Sequence, residues 1–189
     1  MRFTRPAVVL GVCLVLLASC ESRQLQQVTC EPGDASLILV AQAVPTATLL
    51  PCIAEFPVGW IFGGSEIRSG SVRFWLDSDR AGLQALEVRL TRQCNVSNAV
   101  EVTPGADEAG TRRFEEPISL PPRFVANRYY VFEGGCVTYR FAFNVNASPT
   151  LSFDVDEALS FRPRAALVEE MRKQVGLELC GAGASPCPG

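Results

Sequence analysis

Six cysteines beyond residue 20 constrain the fold of this chain more than any other feature. They are Cys30, Cys52, Cys94, Cys136, Cys180 and Cys187. An even number of cysteines in an exported chain is typical of disulfide bonds, which restrict the unfolded state. No Cys-x-x-Cys pair occurs, so neither thioredoxin-like redox chemistry nor a zinc ribbon is expected. We predict nearest-neighbour pairing, 30 with 52, 94 with 136 and 180 with 187, although the spacing alone leaves other pairings open.

The first 19 residues have the layout of a secretory signal peptide. Arg2 and Arg5 precede an apolar run over residues 7–18 that no charged residue interrupts. The run is shorter than the about 20 apolar residues that a membrane-spanning helix needs, and it ends in small residues. Export is therefore expected, and it would place the remaining cysteines in an oxidising compartment.

The end of this run, Leu17-Ala18-Ser19-Cys20, resembles the lipobox of bacterial lipoproteins. The resemblance implies cleavage before Cys20 and a diacylglycerol on its thiol, with fatty acyl chains such as palmitate. Buried acyl chain contributes about 0.8 kcal/mol per methylene, so two or more chains anchor a protein stably to the extracytoplasmic face of the cell membrane. An ordinary signal peptide with a chance cysteine is the alternative. We expect a leader at 1–19, a tether at 20–29 and one disulfide-stapled domain at 30–189.

Composition narrows the functional classes further. Removing the leader takes away two arginines and no acidic residue, which changes the net charge from −3 to −5. Nucleic acid needs clustered positive charge, so it is not an expected partner. The absence of histidine excludes Ser-His-Asp and Cys-His nucleophiles and the common His-containing zinc sites. Lys173 is the only lysine among 17 basic residues, a bias that resembles proteins of GC-rich actinobacteria.

Apolar residues at alternate positions predict several strands. The alternation is clearest over residues 136–145. It also predicts a hairpin of 70–76 with 86–91 around a turn at 77–82. Shorter runs predict the remaining strands, at 35–43, 99–103, 128–133 and 150–155.

The turn of that hairpin is also a candidate calcium loop. It begins Asp77-Ser78-Asp79, but Val88 occupies the place where an EF-hand needs a glutamate. We therefore predict a simple turn, and no metal site or cofactor is expected.

The other segments read as one helix and two loops. Apolar residues recur at helical spacing ahead of Gly176, which can end a helix that Ser160 can cap or Pro163 can begin. Residues 51–64 and 104–122 are rich in proline and glycine and predict loops, the second long enough to be functional or mobile. The fold class is therefore mainly β, an antiparallel β-sandwich or an open β-sheet domain with one C-terminal α-helix.

Arg112, Arg113 and Tyr129 are the candidate ligand-binding residues. Adjacent guanidinium groups can grip a phosphate or carboxylate, although Glu115-Glu116 follow and can neutralise them instead. The aromatic residues of the two predicted strands at 128–133 and 136–145 are Tyr129, Tyr130, Phe132, Tyr139, Phe141 and Phe143. Alternation along strands more often places one side in the core, but Tyr129 points opposite to Tyr130, so part of this set is expected on an exposed face. Such a face can contact a carbohydrate or a peptide.

Asp154 and Asp156 supply the enzyme alternative. On one face of a strand they can act as the acid and base of a glycosidase, although such pairs are more often solvated charges. The leading hypothesis is a non-catalytic binding or structural module of the cell envelope, with an envelope protein or a glycan as partner. The alternative is a histidine-free, carboxylate-dependent hydrolase acting on cell-wall glycan.

Overall fold

The computed structural model describes residues 27–119, 122–176 and 179. In chain order the elements are α1 (Ala35–Ala43), β1 (Leu49–Ile53), β2 (Trp60–Arg68), β3 (Ser71–Ser78), β4 (Gly82–Thr91), β5 (Val100–Val102), a 3-10 turn (Ala106–Glu108), β6 (Arg112–Ser119), β7 (Val125–Phe132), β8 (Gly135–Ala142), α2 (Leu151–Ala158), β9 (Leu159–Pro163) and α3 (Arg164–Val175). The fold class is confirmed as mainly β and antiparallel, with a C-terminal α-helix.

Seven strands form one antiparallel sheet in the order β2-β3-β4-β8-β7-β6-β5. Its inner face is defined by Phe74, Val88 and Tyr139, which lie in register on β3, β4 and β8 and are buried. Its outer face carries the residues that alternate with these along each strand, such as Trp75 on β3 and Arg140 on β8. Because side chains alternate along each strand, the inner face collects most of the apolar residues of these three strands.

A second layer covers the inner face. It consists of the three helices and a two-stranded antiparallel ribbon of β1 and β9. Leu37 of α1, Val155 of α2, Leu167 of α3 and Leu50 of β1 belong to the same buried cluster as the sheet residues. The core of the protein therefore lies between the sheet and this mixed layer.

The two predicted disulfides within the described residues are confirmed. Cys30 is bonded to Cys52 of β1, and Cys94 to Cys136 of β8, with Cα separations of 4.9 and 5.7 Å. The first joins the start of the described chain to the ribbon. The second ties the loop after β4 to the outer face of the sheet. The predicted pair of Cys180 and Cys187, the Cys20 anchor and the leader lie outside the described residues.

The prediction of a strand at 35–43 is wrong, because this segment is helix α1. A short, continuous apolar run fits a buried strand and a buried helix equally well. Asp34 decides between them. Its Oδ1 accepts a hydrogen bond from the Ser36 backbone N–H at 2.7 Å, and its Oδ2 accepts one from Thr29 at 2.7 Å, so it caps the helix N-terminus.

The predicted strand at 150–155 is helix α2. Leu151, Phe153 and Val155 alternate in the sequence as a strand would, but only Leu151 and Val155 are buried, whereas Phe153 is 63% exposed. Burial at positions i and i+4 is the periodicity of a helix. The alternation of Phe153 with its neighbours is therefore misleading.

Two predicted loops also contain regular structure. Residues 51–64 hold most of β1 and the start of β2, and residues 104–122 hold the 3-10 turn and β6. β6 has polar residues on both faces, so it lacks the apolar alternation that marks a half-buried strand. Pro51 is tolerated because the ribbon is narrow and β1 is not a central strand of a large sheet.

The remaining predictions of strands and of the C-terminal helix are confirmed. The hairpin of β3 and β4, the short β5, and strands β7 and β8 lie within a few residues of their expected positions. Helix α3 follows Pro163 and ends at Gly176, whose φ of 66° is the left-handed conformation that favours glycine. No helix among the described residues has the length and apolar character needed to cross a membrane.

Candidate functional site

A groove of about 560 Å³ lies beside α2, on the inner face of β6 and β7. Its lining combines aromatic rings with charged groups, namely Phe124, Phe141, Phe153, Arg113, Glu115 and Arg128. The alternation of β6 and β7 explains the charged set, since Glu115 stands opposite Arg128 and Arg113 stands opposite Tyr130 in the register of the two strands.

Arg128 is the central charged group of the groove. Its side chain is only 7% exposed, and its Nη1 donates hydrogen bonds to Asp156 of α2 and to Tyr130 Oη at 3.5 Å. Its Nε lies 3.3 Å from Glu115 Oε1 but outside hydrogen-bond geometry, and it has no hydrogen-bond partner among the residues described. A buried guanidinium is stable only when its charge is compensated, which these two carboxylates do.

Arg113 extends the same network toward the 3-10 turn. Its Nη1 donates to Glu108 Oε1 at 3.0 Å, and its Nε donates to Glu115 Oε1 at 3.1 Å. Tyr130 Oη donates to the same Glu108 oxygen at 2.9 Å. The buried Glu108 therefore connects two neighbouring strands through one carboxylate.

The buried network alters the titration of its members. Burial raises the pKa of the Tyr130 phenol, although Arg128 beside it opposes the change. Burial also raises the pKa of the Asp156 carboxyl, again against the effect of Arg128. Burial alone would lower the pKa of Arg128, but its contacts with Tyr130 and Asp156 more than compensate, so that its pKa is raised. Arg128 is consequently a permanent cation.

A second cavity, of about 370 Å³, lies near the other side of α2. Arg80, Asp154 and Val58 are among its lining residues. The side chains of Arg80 and Asp154 are 51% and 32% exposed, so its polar lining is well solvated. The groove at Arg128 is the better candidate because it holds a charged side chain that is almost wholly removed from water.

The structure separates the three predicted ligand-binding residues. Arg113 lies in the groove, whereas Arg112 and Tyr129 lie on the outer face. Arg112 binds Glu101 through two hydrogen bonds of 2.8 and 2.9 Å, and Tyr129 donates to Glu116 at 2.6 Å. Arg112, Arg113 and Tyr129 therefore do not form one binding site.

The outer-face residues have a structural explanation. Phe114 and Tyr129 pack around the Cys94–Cys136 disulfide in a small second cluster, and the Arg112 guanidinium lies over the Phe114 ring, 5.1 Å from its centroid. Most of Tyr129 is therefore buried, which corrects the expectation that it is exposed.

Asp154 and Asp156 lie on a helix and not on one strand face. Residues two apart on a helix point in directions about 200° apart. Asp154 accepts hydrogen bonds from Arg80 Nη2 at 2.7 Å and Trp60 Nε1 at 3.4 Å, whereas Asp156 binds Arg128. The two carboxylates connect α2 to two different parts of the protein.

Sequence reasoning missed the principal groove residues. Arg128, Tyr130 and Phe132 lie two residues apart and therefore share one face of the predicted strand. A charged residue on the apolar face of a strand is unusual, and this was the signal in the sequence that could have identified Arg128. Asp156 and Glu108 gave no such signal, because their partners are distant in sequence. No group of three or more potential metal ligands occurs among the described residues.

Comparisons with known proteins leave the identity of the chain open. No family model matches it, and no curated protein matches it. Among solved structures, a 1.50 Å crystal structure of a protein from Bacteroides thetaiotaomicron VPI-5482 is similar, with 10% identity and a TM-score of 0.34 over 70% of this chain. The chain spans 60% of the length of that protein.

Proposed function

We propose that this protein is a lipid-anchored, extracytoplasmic binding module of the cell envelope, without catalytic activity, and that the groove at Arg128 is its ligand site. The single observation that carries the proposal is the nearly buried Arg128, which lines a groove of ligand-binding size. A buried charge is costly, and a groove that keeps one beside aromatic rings is suited to recognition.

The pairing of the charged groups favours binding over catalysis. Arg113, Glu115, Arg128 and Asp156 all engage one another or Glu108. An acid or base that serves catalysis has to exchange protons with a substrate, which these ion pairs oppose. The hydrolase alternative has no favouring observation, since Asp154 and Asp156 each bind an arginine and diverge on α2.

The anchor part of the proposal rests on the lipobox resemblance and is tested separately. Intact-mass spectrometry of the membrane-purified protein should find the leader removed and a lipid mass on Cys20. The Cys20→Ala variant should lose membrane retention or stall with its leader attached. An unmodified N-terminus, or full membrane retention of Cys20→Ala with its leader removed, would contradict the anchor.

The groove part is tested by site-specific photocross-linking in intact cells. A photoreactive amino acid at Phe153, which lines the groove and is 63% exposed, should form an adduct with a defined envelope component. The matched control carries the same amino acid at Leu39 of α1, which is 40% exposed and is not part of the groove. Equal adducts at both positions, or none at Phe153, would remove the groove as the binding site.

A further inference from the structure

We infer that the groove at Arg128 binds an uncharged saccharide chain. This inference rests on the proposed binding function and names its ligand class. Three properties of the groove carry it, namely its charge balance, its hydrogen-bonding capacity and its aromatic lining.

The charge balance of the groove disfavours a charged ligand. Two guanidinium groups are linked to the three carboxylates of Glu108, Glu115 and Asp156, so the network has a net charge of about −1 when all are ionised. Glu116 also lines the groove, and its carboxylate accepts hydrogen bonds from Asn127 and Tyr129. An anionic ligand would have to displace one of these carboxylates from its arginine. A cationic ligand would have to compete with Arg113 and Arg128 for carboxylates that are already paired.

The hydrogen-bonding groups of the groove suit hydroxyl groups. Glu115 contacts both arginines through Oε1, which leaves its Oε2 as an acceptor. The Glu115 side chain is 42% exposed, so its carboxylate can be reached from the groove. A hydroxyl donates as well as accepts, so a sugar hydroxyl can donate to Glu115 without displacing either arginine.

The aromatic lining supplies a surface for sugar rings. Phe153 is 63% exposed, and Phe124 is half-buried and packs on Phe143 with ring centroids 5.2 Å apart. The face of an aromatic ring is electron-rich and attracts the polarised C–H groups of a pyranose. Stacking on Phe153 would also remove an exposed apolar side chain from water.

The sheet itself argues against an extended peptide as the ligand. Peptides that add to a sheet need an unpaired strand edge. β7 is paired with β6 and β8 along its length, and β6 is paired with β7 and, at residues 113–115, with β5. At β7 and at residues 113–115 of β6 the groove therefore offers side chains and not backbone groups, and Pro117 beyond this stretch has no backbone N–H to donate.

The test is isothermal titration calorimetry of the mature, disulfide-intact chain with tetrasaccharides of known composition. The neutral probes are tetramers of glucose, mannose, galactose and N-acetylglucosamine, and the anionic probe is the tetramer of galacturonic acid. We expect at least one neutral tetramer to bind at least tenfold more tightly than the galacturonic acid tetramer. Absence of binding by all four neutral tetramers, or tighter binding of the anionic one, would overturn the inference.

Variants then locate the binding. Phe153→Ala should weaken the best neutral tetramer at least tenfold, Phe153→Trp should bind it at least as well as the unaltered chain, and Leu39→Ala should leave its affinity unchanged. An unchanged affinity in Phe153→Ala would overturn the inference for this groove. A peptide or protein adduct at Phe153 without binding of any tetramer would refute the saccharide as ligand but leave the proposed binding function standing. Failure of both the photocross-linking and the calorimetry would refute the binding function and its ligand class together.

Discussion

The inner face of the large sheet has two halves of opposite character. A single row in register crosses the sheet through Ser65, Phe74, Val88, Tyr139, Arg128, Glu115 and Val100. On β3, β4 and β8 the row is apolar or aromatic and buried, whereas on β7 and β6 it becomes an ion pair. One half stabilises the fold by excluding water, and the other holds charge beside a groove. The apolar core and the proposed ligand site therefore occupy different halves of one surface.

The largest expected effect distinguishes the two halves by their response to pH. Arg128→Ala should lower the free energy of unfolding by about 3–5 kcal/mol, because it leaves Asp156 without its cation and Glu115 with only Arg113. Phe74→Ala in the apolar half should cost a similar amount, about 3–5 kcal/mol, through a cavity. Urea unfolding at pH 7.5 and pH 5 measures both.

The sign of the pH effect follows from the carboxyl group of Asp156. Burial already raises the pKa of Asp156 above its ordinary value, and loss of Arg128 removes the opposing cation, so the folded variant binds a proton more tightly than the unfolded chain does. The cost of Arg128→Ala should therefore shrink as the pH falls toward 5, whereas the cost of Phe74→Ala should not change. Equal responses of the two variants would contradict the division into halves.

The disulfides are the next largest contribution. Replacing Cys94 and Cys136 together by alanine should cost about 4 kcal/mol, and replacing Cys30 and Cys52 should cost about 3.4 kcal/mol, because the first pair closes the longer loop. Thermal unfolding of the two double variants ranks them. Cys52 and Cys136 are equally buried, so the reverse order would show that the local packing of the two bonds outweighs loop length.

A smaller effect is expected where the turn between β7 and β8 meets the segment after α1. Gly134 has a φ of 71°, and a Cβ there would lie 1.8 Å from the Thr46 carbonyl oxygen. Gly134→Ala should therefore cost about 1–3 kcal/mol through strain and displacement of Thr46. Gly110→Ala is the control, because Gly110 also has a positive φ, of 84°, but no heavy atom near its Cβ position. Equal losses would mean that backbone conformation alone decides the cost.

The smallest effect separates the two aspartates of α2. Asp154→Asn should cost about 0.2–1 kcal/mol, because its Arg80 partner is half exposed and the pair is screened by water. Asp156→Asn should cost more, because it leaves the buried Arg128 with only Glu115 for compensation. Chemical denaturation of both variants under identical conditions measures the difference, and an equal cost would place Arg128 in a more solvated environment than its burial indicates.

The sequence predicted the strands whose two faces differ. Alternation over 136–145 and the hairpin around 77–82 identified the centre of the sheet, because there one side is buried and the other is solvated. It did not identify β6, whose charges on both faces are neutralised by partners such as Glu108 and Arg128 that only the folded chain brings together. The groove could not be predicted for the same reason as β6, since the partners of its charged residues are distant in sequence.

Helices α1 and α2 were missed for a different physical reason. Each is shorter than three turns, so its period is hard to distinguish from that of a strand. Asp34 at the start of α1 was a capping signal that the sequence already contained. For α2 the decisive fact is tertiary, since Phe153 remains at the surface while its neighbours at 151 and 155 are buried.

The attachment of residues 28–30 to β1 has a mechanical consequence. The Ile53 backbone N–H donates to the Val28 carbonyl at 2.8 Å, the Cys30 N–H donates to the Ile53 carbonyl at 3.0 Å, and the adjacent disulfide joins Cys30 to Cys52. Tension on the N-terminus would thus pass through a covalent crosslink into the ribbon and bypass the large sheet. A tether from Cys20 to Val28 extends at most about 28 Å, so an anchored molecule would stay close to the membrane surface. The crosslinked ribbon would also resist unfolding under tension from the anchor.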